Sequence, residues 1–474
     1  MTIEMTRTSG TTVDAGPLRR LCGGQVYLPG DAGYDDARLP WSAAVDQRPA
    51  AVVYPRSATD VSEVVRAAAG LGLRVAPQST GHNAGPLAAQ GLDDVVVVRL
   101  SQMDEVTVDV ERRVVRVGGG TVWLPAVEAA ADAGFTVLHG SSPDVGIAGY
   151  SLGGGMGWYA RKLGLAANSL TAVELVNAKG AIVRADAETN PQLFWAVRGG
   201  GGSFGVVTAL EFRMYDFTST YGGMLVWDVS HAEEVLRAWS AWAVDAPDEV
   251  TTSFRILRLP PLPDIPEMVR GRDLVVIDGA VMADEAAARA ILAPLRALDP
   301  EIDTFGRVPT RELVRLHMDP EGPTPAVSST TMLSAMPEEA IQAFLSEAGP
   351  SASTSLLIAE IRQLGGALGR PQPGAGAVSH FEGQFLVFAA AIAATPEMGA
   401  QGHADAVRLT SALSSWANGK SYLNFAEEPV DVRSGYPESA WVQLTGIRSA
   451  MDPDALFVGN HPVPRLFEDG SPTA

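Results

Sequence analysis

Between positions 140 and 157 the chain reads GSSPDVGIAGYSLGGGMG, with glycine too dense for a long helix or strand to run through it. Each interior glycine costs a helix about 1 kcal/mol relative to alanine, while it permits positive φ and lets backbone approach a partner closely. Further glycines at 81, 85, 118–120, 164, 199–202 and 205 place the whole concentration in the first half of the chain. That half is therefore expected to be an α+β region whose strands are joined by loops able to wrap a ligand.

The patterning around these loops agrees. AVVY (51–54) is a short β-like run, and Thr59 or Asp60 then caps a helix whose Val61, Val64, Val65 and Ala68 recur at helical spacing until Gly72 ends it. LRVAP (73–77) and VVVVRL (95–100) are continuous apolar runs of the kind buried strands show. Hairpins are predicted over 106–118 and 170–186, helices near 122–133 and 191–197, and a strand over 206–216. From about 218 to 420, helices (232–244, 284–297, 338–347) alternate with strands (223–229, 251–257, 273–281, 355–361, 384–393), which predicts a second unit with a sizeable antiparallel sheet.

Charge and cysteine content narrow the partners. Asp and Glu outnumber Lys and Arg by 55 to 35, so a net charge of −20 repels nucleic-acid phosphates and anionic lipid surfaces. The single Cys22 makes no intrachain disulfide and no thiolate metal site, so no metal is expected and a reducing compartment is favoured. MTIEMTRTSGTT at the N-terminus has no apolar stretch of the secretory kind, and the longest apolar run, 385–394, is ten residues against the roughly 20 that span a bilayer. A cytoplasmic protein without a membrane partner is expected.

The glycine-rich segment admits three chemistries. Gly149-Tyr150-Ser151-Leu152-Gly153 fits the G-x-S-x-G elbow of serine hydrolases, with His461 downstream, but the strand before it is weak and the helix after it is full of glycine. Gly155-Met156-Gly157-Trp158-Tyr159-Ala160 fits a dinucleotide fingerprint with Glu174 beyond, but Gly164 interrupts the short stretch that must hold the crossover helix. In the third reading the loop's unhindered N–H groups approach the pyrophosphate and ring of an extended cofactor.

The third reading gains weight from order. Ser79-Thr80-Gly81-His82-Asn83, then 140–157, then GLAANSLTAVELVNAKG (164–180), LFWAVRGGGGSFGVVTALEF (193–212), YLNF (422–425) and MDPDALF (451–457) together resemble the berberine-bridge-enzyme-like FAD-linked oxidases of the vanillyl-alcohol-oxidase group. The resemblance implies a PCMH-type FAD-binding domain of two α+β subdomains (1–217), a substrate domain with an antiparallel sheet flanked by helices (218–420), and a C-terminal segment returning to the first (421–474). It also implies FAD carried covalently on His82. Ser142 stands where many members have a second, cysteinyl attachment, so a single link is expected. Val145 stands at the position controlling dioxygen access, and Tyr150 near the flavin N1–C2 carbonyl, where a donor stabilises developing charge. Ser141, Gly146, Gly149, Gly153, Gly154, Gly155, Gly157, Asn168, Gly205, Val206, Tyr422 and Asn424 are the remaining positions expected along the cofactor.

The resemblance implies an oxidase that takes hydride from an alcohol, sugar or secondary metabolite and reduces dioxygen to hydrogen peroxide. A dehydrogenase with another acceptor, the serine hydrolase with Ser151, and a flavin-free relative remain as alternatives. The proton acceptor is the open point. The usual tyrosine is Phe425, and a second familiar acid position falls at Val387, so the candidates are Tyr150, Glu360, Arg362 and His380. In SLLIAEIRQLGG (355–366), Glu360 and Arg362 lie two apart and so share one strand face.

Overall fold

A computed structural model describes residues 14–263 and 265–466. The N-terminal stretch read above as lacking a secretory leader lies outside the described residues.

Three sheets organise the chain. The first contains β1 (Val26–Tyr27), β2 (Ala51–Val53), β3 (Arg74–Gln78) and β4 (Val95–Arg99) in the order β1-β2-β4-β3, with the last three parallel. Its helix Ala58–Leu71 buries Val61, Val64, Val65 and Ala68 completely, and Gly72 closes it at φ +72°. The cap is Ser57, whose side chain accepts from the Asp60 N–H, two or three residues earlier than the Thr59 or Asp60 expected. The second sheet is antiparallel, in the order β5-β6-β9-β7-β8, from β5 (Val106–Asp109), β6 (Val114–Gly118), β7 (Leu170–Val176), β8 (Ile182–Asp186) and β9 (Val206–Arg213). Both predicted hairpins are present, as β5–β6 and β7–β8.

The third sheet has eight strands: β10 (Ser219–Asp228), β11 (Val250–Arg258), β12 (Asp273–Val281), β13 (Ile302–Asp303), β14 (Gly306–Pro309), β15 (Ala326–Leu333), β16 (Ile358–Gln363) and β17 (Phe385–Ile392). Side chains alternate across it. Phe254, Ile256, Val275, Ile277, Ala359, Ile361, Phe385, Val387 and Ala389 pack with the helices Ala232–Asp245, Glu285–Arg296, Glu338–Ala348 and Pro396–Ala412. The intervening residues, Arg255, Asp278, Glu360, Arg362 and Phe388 among them, therefore face the other way, toward the first two sheets. Arg161 fastens the two halves from the first side, donating from its buried guanidinium to the carbonyls of Leu364, Pro247 and Ala246 at 2.8, 2.9 and 3.0 Å. From the C-terminus, the chain returns to β3, where the Val458 N–H donates to the Val75 carbonyl at 2.9 Å.

Strand β15 and the helices Pro396–Ala412 and Glu438–Met451 were not among the elements read from sequence. The helix Pro396–Ala412 carries Gly399 and Gly402, which weaken its local signal. Gly402 is required by contact: a Cβ there would stand 2.6 Å from Ala391 Cβ and 3.2 Å from Val327 Cγ2. Gly402→Leu is expected to cost about 1–3 kcal/mol through overpacking against about 1 kcal/mol of helix propensity. The net loss is measurable as a lower urea midpoint, and an unchanged midpoint would refute the close-contact argument. Among the described residues no helix is long and apolar enough to cross a membrane.

Candidate active site

A cavity of ≈ 410 Å³ lies where the glycine loops of the first half meet the helix-free face of the eight-stranded sheet. That volume is in the range of small-molecule sites. Ser79, Thr80, Gly81, His82 and Asn83 form one wall, and Ser141, Ser142, Val145, Gly146, Gly149, Tyr150, Gly153 and Gly205 another. Glu360, Arg362 and Phe388 face them from the sheet, and Tyr422, Asn424 and Phe425 come from the returning C-terminal segment. Glu360 and Arg362 share the face, as the strand alternation predicted.

Not every expected position lies there. Gly154, Gly155, Gly157, Asn168 and Val206 are absent from the cavity wall; they pack behind it. A Cβ on Gly155 would meet the Tyr150 ring at 2.5 Å, and one on Gly157 the His139 carbonyl at 2.0 Å, so these glycines serve close chain packing. Val206 is fully buried inside β9, where it pairs with Val176. His380 also lies outside the wall, with Nδ1 2.8 Å from Ser379 Oγ, because the loop carrying it precedes β17 and does not reach the open face.

His82 is held on three sides. Its ring stacks on Trp41 with centroids 3.9 Å apart, Nδ1 stands 2.8 Å from Thr80 Oγ1, and Nε2 faces Asp144 Oδ1 at 3.6 Å. Asp144 in turn accepts from Trp41 Nε1 at 2.6 Å, the Gly322 N–H at 2.7 Å and Ser142 Oγ at 3.1 Å. Burial pushes that carboxyl up, but the donors, His82 first, hold it well below the usual carboxylate range. Asp144 is thus an anion beside the imidazole at neutral pH.

Tyr150 is fixed by the C-terminal segment, since Asn424 Nδ2 donates to its carbonyl at 2.9 Å. Its hydroxyl is buried with no protein partner. Burial, with Tyr422 adding to it and Arg362 opposing, raises the phenol well above its ordinary value. With its pKa raised, the Tyr150 phenol keeps its proton at neutral pH and can act as a donor. Phe425 lies under the Arg362 guanidinium, 4.9 Å from carbon to ring centroid, a cation–π contact.

The sheet face also carries charges that sequence reasoning missed. Arg255 and Asp278 sit in the middle of apolar strands, fully buried and paired at 2.5 Å. His317, 3% exposed and lining the cavity, joins Asp278 to Glu360. A charge at an interior strand position demands a partner, so Arg255 and Asp278 could have been flagged. His317 in RLHMDP carries no pattern.

The hydrolase and nucleotide-crossover geometries are not formed. Ser151 lies within the helix Ile147–Leu152, fully buried, and His461 Nε2 instead bonds the Ala426 carbonyl at 2.9 Å. After Gly155-Met156-Gly157 the helix Ala160–Leu163 has only four residues.

The cavity does fit a flavin dinucleotide. Ser79 Oγ, Asn83 Oδ1 and the Tyr150 hydroxyl are buried at its edge without protein partners. The glycine wall also leaves room that a single Cβ would close: on Gly146 it would stand 2.4 Å from Ser79 Oγ, and on Gly153 1.9 Å from Asn424 Oδ1. Residues 49–186 match the FAD binding domain family, and the chain is an FAD-binding protein with the fold of the berberine-bridge-enzyme-like flavoproteins, as its motifs implied. It is 35% identical over 211 residues to (R)-6-hydroxynicotine oxidase of Paenarthrobacter nicotinovorans, covering 44% of this chain and 46% of that one. The chain thus spans about half the length of the curated relatives it matches. The solved structure of Physcomitrella patens BBE-like 1 superposes with a TM-score of 0.82 at 21% identity, over 94% of this chain and 98% of that one. Wild-type Phl p 4, a glucose dehydrogenase, superposes with a TM-score of 0.77 at 18% identity over 94% of this chain and 97% of that one.

Proposed function

We propose that this protein is an FAD-linked oxidase acting on a small alcohol, sugar or secondary metabolite, with dioxygen as acceptor and hydrogen peroxide as product. The observation that carries this reading is the opposition, across one cavity, of a glycine wall with orphaned polar atoms and a sheet face bearing Glu360 and Arg362. When bound, the flavin supplies two-electron redox chemistry, and the protein supplies binding, orientation and electrostatics.

His82, held by Thr80, Trp41 and Asp144, is the residue that would carry the cofactor, by a single link because Ser142 offers a hydroxyl in place of a thiol. The Tyr150 hydroxyl donates to whatever negative charge develops beside it. Glu360 accepts the substrate's proton, and Arg362 sits close enough to favour a deprotonated oxygen. The purified protein is expected to be yellow, to retain the colour through acid precipitation, and to form peroxide as substrate is consumed under air. A colourless preparation that binds no added FAD would sink the reading. Flavin reduced by substrate but not reoxidised by air would favour the dehydrogenase.

Oxygen access is assigned to Val145. Wild-type Phl p 4 is a glucose dehydrogenase while an isoleucine-to-valine variant of it is a glucose oxidase, so in this fold one methylene separates the two acceptors. The Val145 carbonyl accepts from the Trp123 N–H at 3.1 Å, which fixes the backbone while the side chain faces the cavity. Val145→Leu should therefore slow reoxidation of the reduced protein in stopped flow and leave its anaerobic reduction by substrate unchanged. Equal reoxidation rates would refute the assignment.

A further inference from the structure

The cavity-facing side of the eight-stranded sheet carries a buried network of charged side chains. Asp278 is fixed on both oxygens, with Ser253 Oγ donating to Oδ1 at 2.5 Å, and Arg255 Nη2 and His317 Nδ1 donating to Oδ2 at 2.5 and 2.8 Å. Arg255 also donates to the His317 carbonyl at 3.0 Å, so ring and backbone are held together. With Nδ1 committed to Asp278, only Nε2 is left to face the cavity side. It lies 3.3 Å from Glu360 Oε1, 3.3 Å from Arg362 Nη2 and 4.0 Å from Asp319 Oδ1. The Trp158 ring packs against it at 5.6 Å between centroids.

We propose that His317, oriented by Asp278, is a positioning residue that holds Glu360 as the ionised, cavity-facing acceptor of the substrate's proton. This rests on the oxidase reading above. Glu360 is 1% exposed, and an isolated carboxylate so buried would be neutral. It stays ionised because two cations touch it: Arg362 Nε at 2.9 Å and, when protonated, His317. Nε2 has two partners of opposite kind. Neutral, its lone pair accepts from Arg362; protonated, it donates to Glu360 and pins Oε1. Burial and Arg255 lower the imidazole, but the carboxylates of Asp278, Asp319 and Glu360 outweigh them and raise it to about 9, so the pinned form prevails at neutral pH.

The step balances simply. A substrate O–H or N–H hydrogen leaves as a proton to Glu360 while the adjacent C–H is oxidised, with bound flavin as the oxidant. Glu360, His317 and Asp278 then hold one proton more than before, and they titrate as a unit rather than singly.

Two readouts test this. In the first, the imidazole of His317 is followed by NMR across pH in the wild type and in Glu360→Gln, with the resonance assigned by its absence in His317→Gln. It should titrate near pH 9 in the wild type, and lower once the Glu360 charge is removed. An unshifted titration overturns the coupling. In the second, anaerobic flavin reduction is measured across pH for His317→Gln and, as a gentler variant, Asp278→Asn. Both should slow reduction by about 10²-fold, mainly in kcat, and move the acid limb of the profile upward, because Glu360 loses its cationic support. Slowing with an unmoved limb would mean a structural role only and would overturn the proposal. The two readings fail separately: a protein without flavin refutes the oxidase, whereas a wild type that reduces flavin with the same profile as both variants refutes only His317.

Discussion

His82→Ala is expected to give a folded protein whose flavin is released by acid, while Ser142→Ala keeps it attached. The effect is all or none because a covalent bond either survives precipitation or was never made. Geometry favours His82: its ring is clamped flat against Trp41, and its two nitrogens meet Thr80 Oγ1 at 2.8 Å and Asp144 Oδ1 at 3.6 Å. A carboxylate held ionised beside one imidazole nitrogen draws the ring proton toward itself and leaves the other nitrogen the richer nucleophile. Asp144→Asn should therefore lower the fraction of flavin that becomes attached without abolishing binding. Ser142 only donates to Asp144, so its loss removes one donor to that carboxylate and no bond to the cofactor. An electron-withdrawing attachment also raises the potential of the ring, so flavin in the His82 variant should be reduced more slowly by substrate. Flavin still attached in that variant would overturn the assignment.

The path from sequence to site was uneven for physical reasons. Elements whose apolar residues repeat with one period were legible: the helix Ala58–Leu71, the hairpins β5–β6 and β7–β8, and β11 and β12 with their continuous apolar runs. Strand β15 was not, because AVSSTTML mixes hydroxyl and apolar side chains on both faces. The site was legible where a function forces a local pattern. Glycines that admit a ligand must be glycine, and the loop 79–83 holds its residues in a row. It was not legible where function is assembled from far apart. Asp278 and Glu360 lie 82 positions apart in sequence and meet only through His317, since strand order β12-β11-β16 sets them on one face of the sheet. His380 shows the converse. It is a candidate proton acceptor by sequence, and the fold leaves it off the cavity wall.

Glu360→Gln should slow anaerobic flavin reduction by about 10²–10⁴-fold, the usual cost of losing a general base, and Arg362→Gln should slow it less while weakening substrate binding. Glutamine keeps the shape and one acceptor oxygen but cannot take the proton, so a loss confined to packing would be far smaller. Charge removal has a second consequence. Glu360 is pushed up by burial and held well below the usual range chiefly by Arg362 and His317, so its contribution to stability is present above the unfolded pKa and is lost only as pH falls far below it. His317 behaves oppositely. With its folded pKa raised to about 9, its contribution is complete below the unfolded value and disappears as pH rises toward 9. The wild type should thus lose roughly 2 kcal/mol of stability between neutral pH and that point, seen as a falling urea midpoint. Glu360→Gln removes one of the carboxylates that raise the imidazole, so its alkaline loss should be smaller and be complete at a lower pH. If the variant keeps both the wild-type rate of reduction and the wild-type alkaline slope, Glu360 is neither the acceptor nor the counter-charge of His317, and the proton must leave by water.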